Sequence, residues 1–196
     1  MILANPIVLR NIAQKIAFID AIIMQDWDYR YYSYNSHWSD NEEMGSMRDG
    51  SGNCYFILFE DECKKCFIKV IDKQYLHNQI VESEINKLDS SEKNGLVSFL
   101  SEPAFLVNEI SYLYWNMNNC WKSIEHEKNT WLSILKNPIH EYQIFAKNYY
   151  EKELSIQNLE KFINGEITKE LIKKINPNID FEKLGDDINE IGIKVY

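Results

Sequence analysis

Two apolar runs, Cys54–Glu60 (CYFILFE) and Cys66–Ile71 (CFIKVI), flank the polar link Asp61–Lys65 (DECKK). β-Branched and aromatic residues at this density suit strands, and a short polar link suits a hairpin turn. Any fold of this chain must accommodate that hairpin. Upstream, Tyr29–Asn35 is dense in tyrosine and Glu43–Arg48 is a weaker strand candidate. The turn Asp49-Gly50-Ser51-Gly52 separates them from Cys54, with glycines to supply the positive φ a tight reversal needs. Downstream, Leu106–Met117 has strand composition, and Cys120–Ile124 is placed to pair beside it. These segments predict an antiparallel sheet from about residue 29 to residue 124.

Helical patterning surrounds this region. Asn5 and Pro6 read as a cap and first turn, and Ile12, Ile16, Ile19 and Ile23 recur at 4-3-4 spacing, which draws one apolar stripe ending near Gln25–Trp27. Between Asp72 and Ser101 the pattern is helical but irregular, and Pro103 interrupts it. The last third is helical: Ile139–Tyr149, then Ser155–Ile163 stopped by Gly165, then a helix from Thr168 ended by Pro177. The fold class is therefore α+β, an antiparallel sheet with an N-terminal helix packed on it and a helical C-terminal third. One domain spans residues 1–196, with a helical subdomain edge near Asn137-Pro138.

The 196 residues suffice to bury a sizeable core without a metal or disulfide staple. The net charge of −9 argues against a nucleic-acid ligand, because affinity for phosphate backbones comes mainly from Lys and Arg. It suits solubility, and also capture of a basic partner. Arg10, Lys15 and Asp20 interrupt the apolar runs of the N-terminal segment, and no run reaches the ~20 apolar residues of a membrane span, so a cytoplasmic chain with reduced cysteines is expected.

Motifs for chemistry are sparse. Cys63-x-x-Cys66 lacks the second pair of a structural zinc site, and its hairpin setting differs from the strand–helix setting of a redox pair. The histidines His37, His77, His126 and His140 form no metal-binding pattern. His126 sits between Glu125 and Glu127, a setting that would raise its pKa if the three are close. There is no phosphate loop, nucleophile elbow or dinucleotide fingerprint, so no catalytic residue, cofactor or metal ligand is assigned.

The candidate site lies instead in Tyr31–Asp49, where aromatic and charged residues mix. Tyr32, Tyr34, His37 and Trp38 are followed by Asp40, Glu42 and Glu43, then Arg48 and Asp49. Aromatic anchors beside charges are what protein interfaces use. Strand alternation puts Tyr32 and Tyr34 on one face and Tyr29 and Tyr31 on the other; one set fills the core and the other is at least partly exposed. Trp38 and Tyr34 are the expected anchors, Asp40, Glu42 and Glu43 supply charge complementarity, and Arg48 orients a carboxylate or backbone carbonyl, or forms a local ion pair with Asp49. The rival reading is a small hydrolase or metal-dependent enzyme using these acids with His37.

The stretch YYSYNSHWSDNEEMGSMRDGSGNCYFILF, with SEPAF and the tail LGDDINEIG, resembles a family of small bacterial proteins associated with the immunity proteins of polymorphic toxins. The resemblance spans most of the chain and brings no catalytic residues with it. It implies an α+β protein that neutralises a toxin by direct binding, and the acidic balance is compatible with a basic one.

Overall fold

The computed structural model describes residues 3–117, 119–124 and 130–196; His126 lies outside them. At its centre is a six-stranded antiparallel meander in the order β1-β2-β3-β4-β5-β6. The strands are β1 (Tyr32–Ser39), β2 (Glu42–Arg48), β3 (Cys54–Glu60), β4 (Lys65–Ile71), β5 (Tyr112–Met117) and β6 (Cys120–Ile124). Each hairpin fixes the register of the next, so side chains form rows across the sheet. One row runs Tyr32–Met47–Tyr55–Val70–Tyr112, and the next runs Tyr34–Gly45–Ile57–Ile68–Tyr114. Gly45 gives the Tyr34 ring its place: a Cβ there would stand 3.4 Å from Tyr34 Cδ2 and 3.5 Å from Ala13 Cβ.

Both rows face helix α1 (Pro6–Ile23), which starts where Asn5 accepts the Ile7 N–H. The 4-3-4 stripe understates the burial of this helix: every residue from Ile16 to Ile22 is buried. The sheet covers one side of α1, and α4 (Ser133–Lys136), α5 (Pro138–Tyr149), α6 (Ile156–Ile163), α7 (Lys169–Ile175) and α8 (Phe181–Ile191) pack on it from elsewhere. A helix apolar on all sides belongs between two layers. The C-terminal helices thus share one core with the sheet and α1. The helix ends at Ile23, short of the expected Gln25–Trp27, because Met24 is extended and Asp26 caps a separate 3₁₀ turn, Trp27–Tyr29.

The opposite face has its own core. The β4–β5 connection carries α2 (Asn78–Ile85), α3 (Ser90–Leu100) and the 3₁₀ turn Pro103–Phe105, which cover Cys54, Phe56, Leu58, Phe67, Ile71, Leu113 and Trp115. The molecule is therefore three layers, helices on both faces of an antiparallel sheet. Leu106–Ser111, read from composition as strand, is loop. Leu106 takes a left-handed conformation at φ 56°, and Ser111 exchanges hydrogen bonds with the backbone of Asp72 instead of continuing a ladder.

Candidate functional site

The structure redistributes the residues of Tyr31–Asp49. Tyr32 and Tyr34 belong to the two rows on the face that α1 covers and are buried, Tyr34 to 1% exposure, so neither offers its ring to a partner. The Tyr34 hydroxyl donates to Glu43 Oε2 at 2.6 Å, and Arg10 grips both oxygens of the same carboxylate at 2.8 and 2.6 Å. Glu43 is thereby a tie between β2 and α1. Trp38 is half-buried and stacks on Phe105 with ring centroids 5.6 Å apart, at the edge of the second core. Part of its ring is thereby covered from within the chain. His37 is exposed, its Nδ1 2.9 Å from Ser36 Oγ.

Asp40 and Glu42 do come together, with two acids that the hairpin turns bring from β3. Glu60 and Asp61 face them across a notch of about 450 Å³ at one end of the sheet, where Lys65 pairs with both at 3.2 Å. Burial raises the Glu60 carboxyl above the usual carboxylate range against the effect of Lys65. Asp49 serves its own turn, accepting the N–H groups of Ser51 and Asn53 and the Asn53 amide. The Arg48–Asp49 ion pair is absent among the described residues. The Arg48 guanidinium lies 5.4 Å from the centroid of the Phe56 ring, with no described carboxylate in ion-pairing range. Cys63 sits in a turn and Cys66 is buried in β4, and no group of three His, Cys, Asp or Glu residues poised to hold a metal occurs among the described residues.

At the other end of the sheet an aromatic surface assembles. Trp27 and Tyr29 are 57% and 60% exposed on the 3₁₀ turn, and Tyr149, exposed at the end of α5, lines a notch together with Trp27. Tyr31 packs against Tyr149 and Phe145 at centroid distances of 4.4 and 4.9 Å. Trp27, Asp28, Tyr31 and Tyr149, with the arginines Arg30 and Arg48, line a notch of about 160 Å³. Arg30 is neutralised by a two-pronged bond to Asp187 and donates to the carbonyls of Met24 and Gln25.

One carboxylate holds this surface in place. Asp20 is fully buried in α1, and its Oδ2 accepts the N–H groups of Tyr31 and Tyr32 at 2.9 and 3.0 Å. The Tyr150 hydroxyl donates to the same oxygen at 2.9 Å, and Tyr142 donates to Oδ1 at 2.6 Å. Burial pushes the carboxyl up to about 6, with these hydrogen bonds pulling the other way. Asp20 thus pins the Trp27–Tyr31 segment at its entry to β1, and Arg30 ties it to the exit from α1 through the Met24 and Gln25 carbonyls.

Of the tyrosines singled out in the sequence, the pair Tyr29 and Tyr31 is the accessible one. Trp27 and Tyr149 were missed; one stands outside the strand pattern, and the other is 122 residues downstream of it on a helix. No protein-family model matches the chain, and no curated protein or solved structure matches it. No helix among the described residues is long and apolar enough to cross a membrane.

Proposed function

We propose that this chain is a protein-binding protein that seats a basic partner on the surface formed by Trp27, Tyr29, Tyr31 and Tyr149, as an immunity protein covers a toxin. The observation that carries the reading is the exposure of Trp27 and Tyr29 beside a notch edged by Asp28. Trp and Tyr combine large apolar area with few rotatable bonds and dominate binding energy in protein interfaces. Asp26 and Asp28 on the same turn, and the overall charge of −9, favour encounter with a cationic protein. Pinning by Asp20 lowers the ordering cost of association.

A pull-down from lysate of the source organism, read by mass spectrometry, tests this. Wild type should capture a basic protein that Trp27→Ala/Tyr149→Ala fails to retain, since truncating a central aromatic anchor costs ~2 kcal/mol or more. Asp40→Ala/Glu42→Ala, at the opposite end of the sheet, should retain it. The reverse pattern would move the interface to the acidic notch, and no partner with any variant would sink the binding reading.

A further inference from the structure

A second concavity opens on the other face of the β2–β3 hairpin, with a volume of about 350 Å³. Its apolar wall comes from Cys54, Phe56, Ala104 and Leu106, and Arg48 stands at its side. None of its described lining residues is acidic. In a chain of net charge −9 that exclusion is notable, because Arg48 lacks a described carboxylate partner and lies over Phe56, one of the wall residues.

A second cation stands behind the same wall. Lys69 on β4 is opposite Phe56 in register and has no exposed surface. Its Nζ donates to the carbonyl of Leu106 at 2.8 Å, and Leu106 is itself a lining residue held at positive φ. An ammonium offers three donors, and a buried one without a counter-ion carries a large desolvation penalty. No described carboxylate lies within ion-pairing distance of Lys69, and Glu109, the acid whose field it feels, pairs with Lys73 at 2.5 Å. Burial lowers the amine to about 8, which leaves it cationic at neutral pH.

We propose that this cavity binds a small organic carboxylate, its head against Arg48 in the field of Lys69 and its apolar body against Phe56, Ala104 and Leu106. The two cations and the absence of lining acids specify an anion, and the apolar wall specifies an attached hydrocarbon body. The volume is within the range of small-molecule sites. Arg48 lines both this cavity and the notch of the protein-binding surface, but the apolar wall here shares no residue with the aromatic surface of Trp27, Tyr31 and Tyr149.

Octanoate is a suitable probe, with octanol as the neutral molecule of equal chain length, each titrated into ¹⁵N-labelled full chain at pH 7. Octanoate should produce saturable amide shifts concentrated at Gly50, Gly52, Cys54 and Leu106, with octanol at least tenfold weaker. Arg48→Gln should weaken octanoate at least tenfold and leave octanol unchanged. Lys69→Met, whose spectrum reports that it is folded, should weaken octanoate at least threefold. Trp27→Ala should leave octanoate binding intact, which separates this site from the protein interface. Equal affinity for octanol and octanoate, shifts centred elsewhere, or octanoate binding indifferent to Arg48→Gln would overturn the proposal.

Discussion

The carboxylate of Asp20 and the hydroxyl of Tyr142, 122 residues apart in the chain, meet at 2.6 Å in the middle of the larger core. The same carboxylate collects Tyr150 and the N–H groups of Tyr31 and Tyr32, so one side chain joins α1, the start of β1 and α5. It couples the core to the surface: the strand entry it holds is the base of the exposed Trp27–Tyr31 segment.

Asp20→Ala would strand two buried N–H groups and two hydroxyls, and should destabilise the protein by about 4 kcal/mol. Asp20→Asn keeps an acceptor for the N–H groups and can donate to the Tyr142 oxygen, so it should cost less than about 2 kcal/mol. Denaturant titration distinguishes the two. Because the folded carboxyl is raised to about 6 from an ordinary value near 3.8, its contribution is fully present below pH 4 and is lost as pH rises through 6. Wild type should therefore lose up to about 3 kcal/mol of this contribution across that window, and Asp20→Asn should lack the loss. The groups facing Asp20 are tyrosines, whose pKa values are raised, so they do not titrate there.

Lys69 gives the opposite slope at alkaline pH. Its folded pKa of about 8 lies below the ordinary 10.5, so the protein releases this proton before the unfolded chain does. Its contribution to stability rises with pH from about 8 towards 10.5 and is lost as pH falls through 8. The titratable neighbours are Cys54, pushed up to about 11 by burial, and Glu109, already paired with Lys73. Lys69→Met should stabilise the protein by about 2 kcal/mol at pH 7 and remove the rise between pH 8 and 9.5. A destabilised Lys69→Met in chemical denaturation would count against a net penalty at this site.

Gly192 ends α8 in the left-handed region at φ 71°, and a Cβ there would lie 2.4 Å from Ser36 Oγ and 2.7 Å from Ser36 Cβ. Gly192→Ala should cost about 2–3 kcal/mol, from backbone strain plus that overlap with β1. Adding Ser36→Gly should recover the overlap part alone, so a double-mutant cycle by thermal unfolding should return a favourable coupling.

The β3–β4 turn carries three successive non-glycine residues at positive φ, Asp61, Glu62 and Cys63 at 51°, 55° and 68°. Glu62→Gly relieves one of them and should stabilise by about 0.5–1 kcal/mol, after allowance for the added freedom of the unfolded chain. Unchanged or lower midpoints in urea would show that the turn carries no such strain.

Much of the architecture follows from local pattern. The CYFILFE and CFIKVI runs are β3 and β4, Asn5-Pro6 begins α1, and Thr168 caps α7 by accepting the Leu171 N–H. The site was less legible. Trp38 and Tyr34 look like anchors in a linear reading, because aromatic character beside acids carries no information about which neighbour will cover it. Phe105, which covers Trp38, and Tyr142, which packs on Tyr32, come from remote segments.

The alternation is legible in the chain: period-2 spacing separates Tyr32 and Tyr34 from Tyr31, and the hairpin turns order the strands. Which positions meet solvent depends on how the layers pack. Alternation defines two sheet faces without saying whether either is wet, and here helices cover both. Accessible aromatic area is therefore displaced from the faces of the sheet to its end, where Trp27 and Tyr29 stand exposed on the turn after α1 and Trp27 shares a notch with Tyr149.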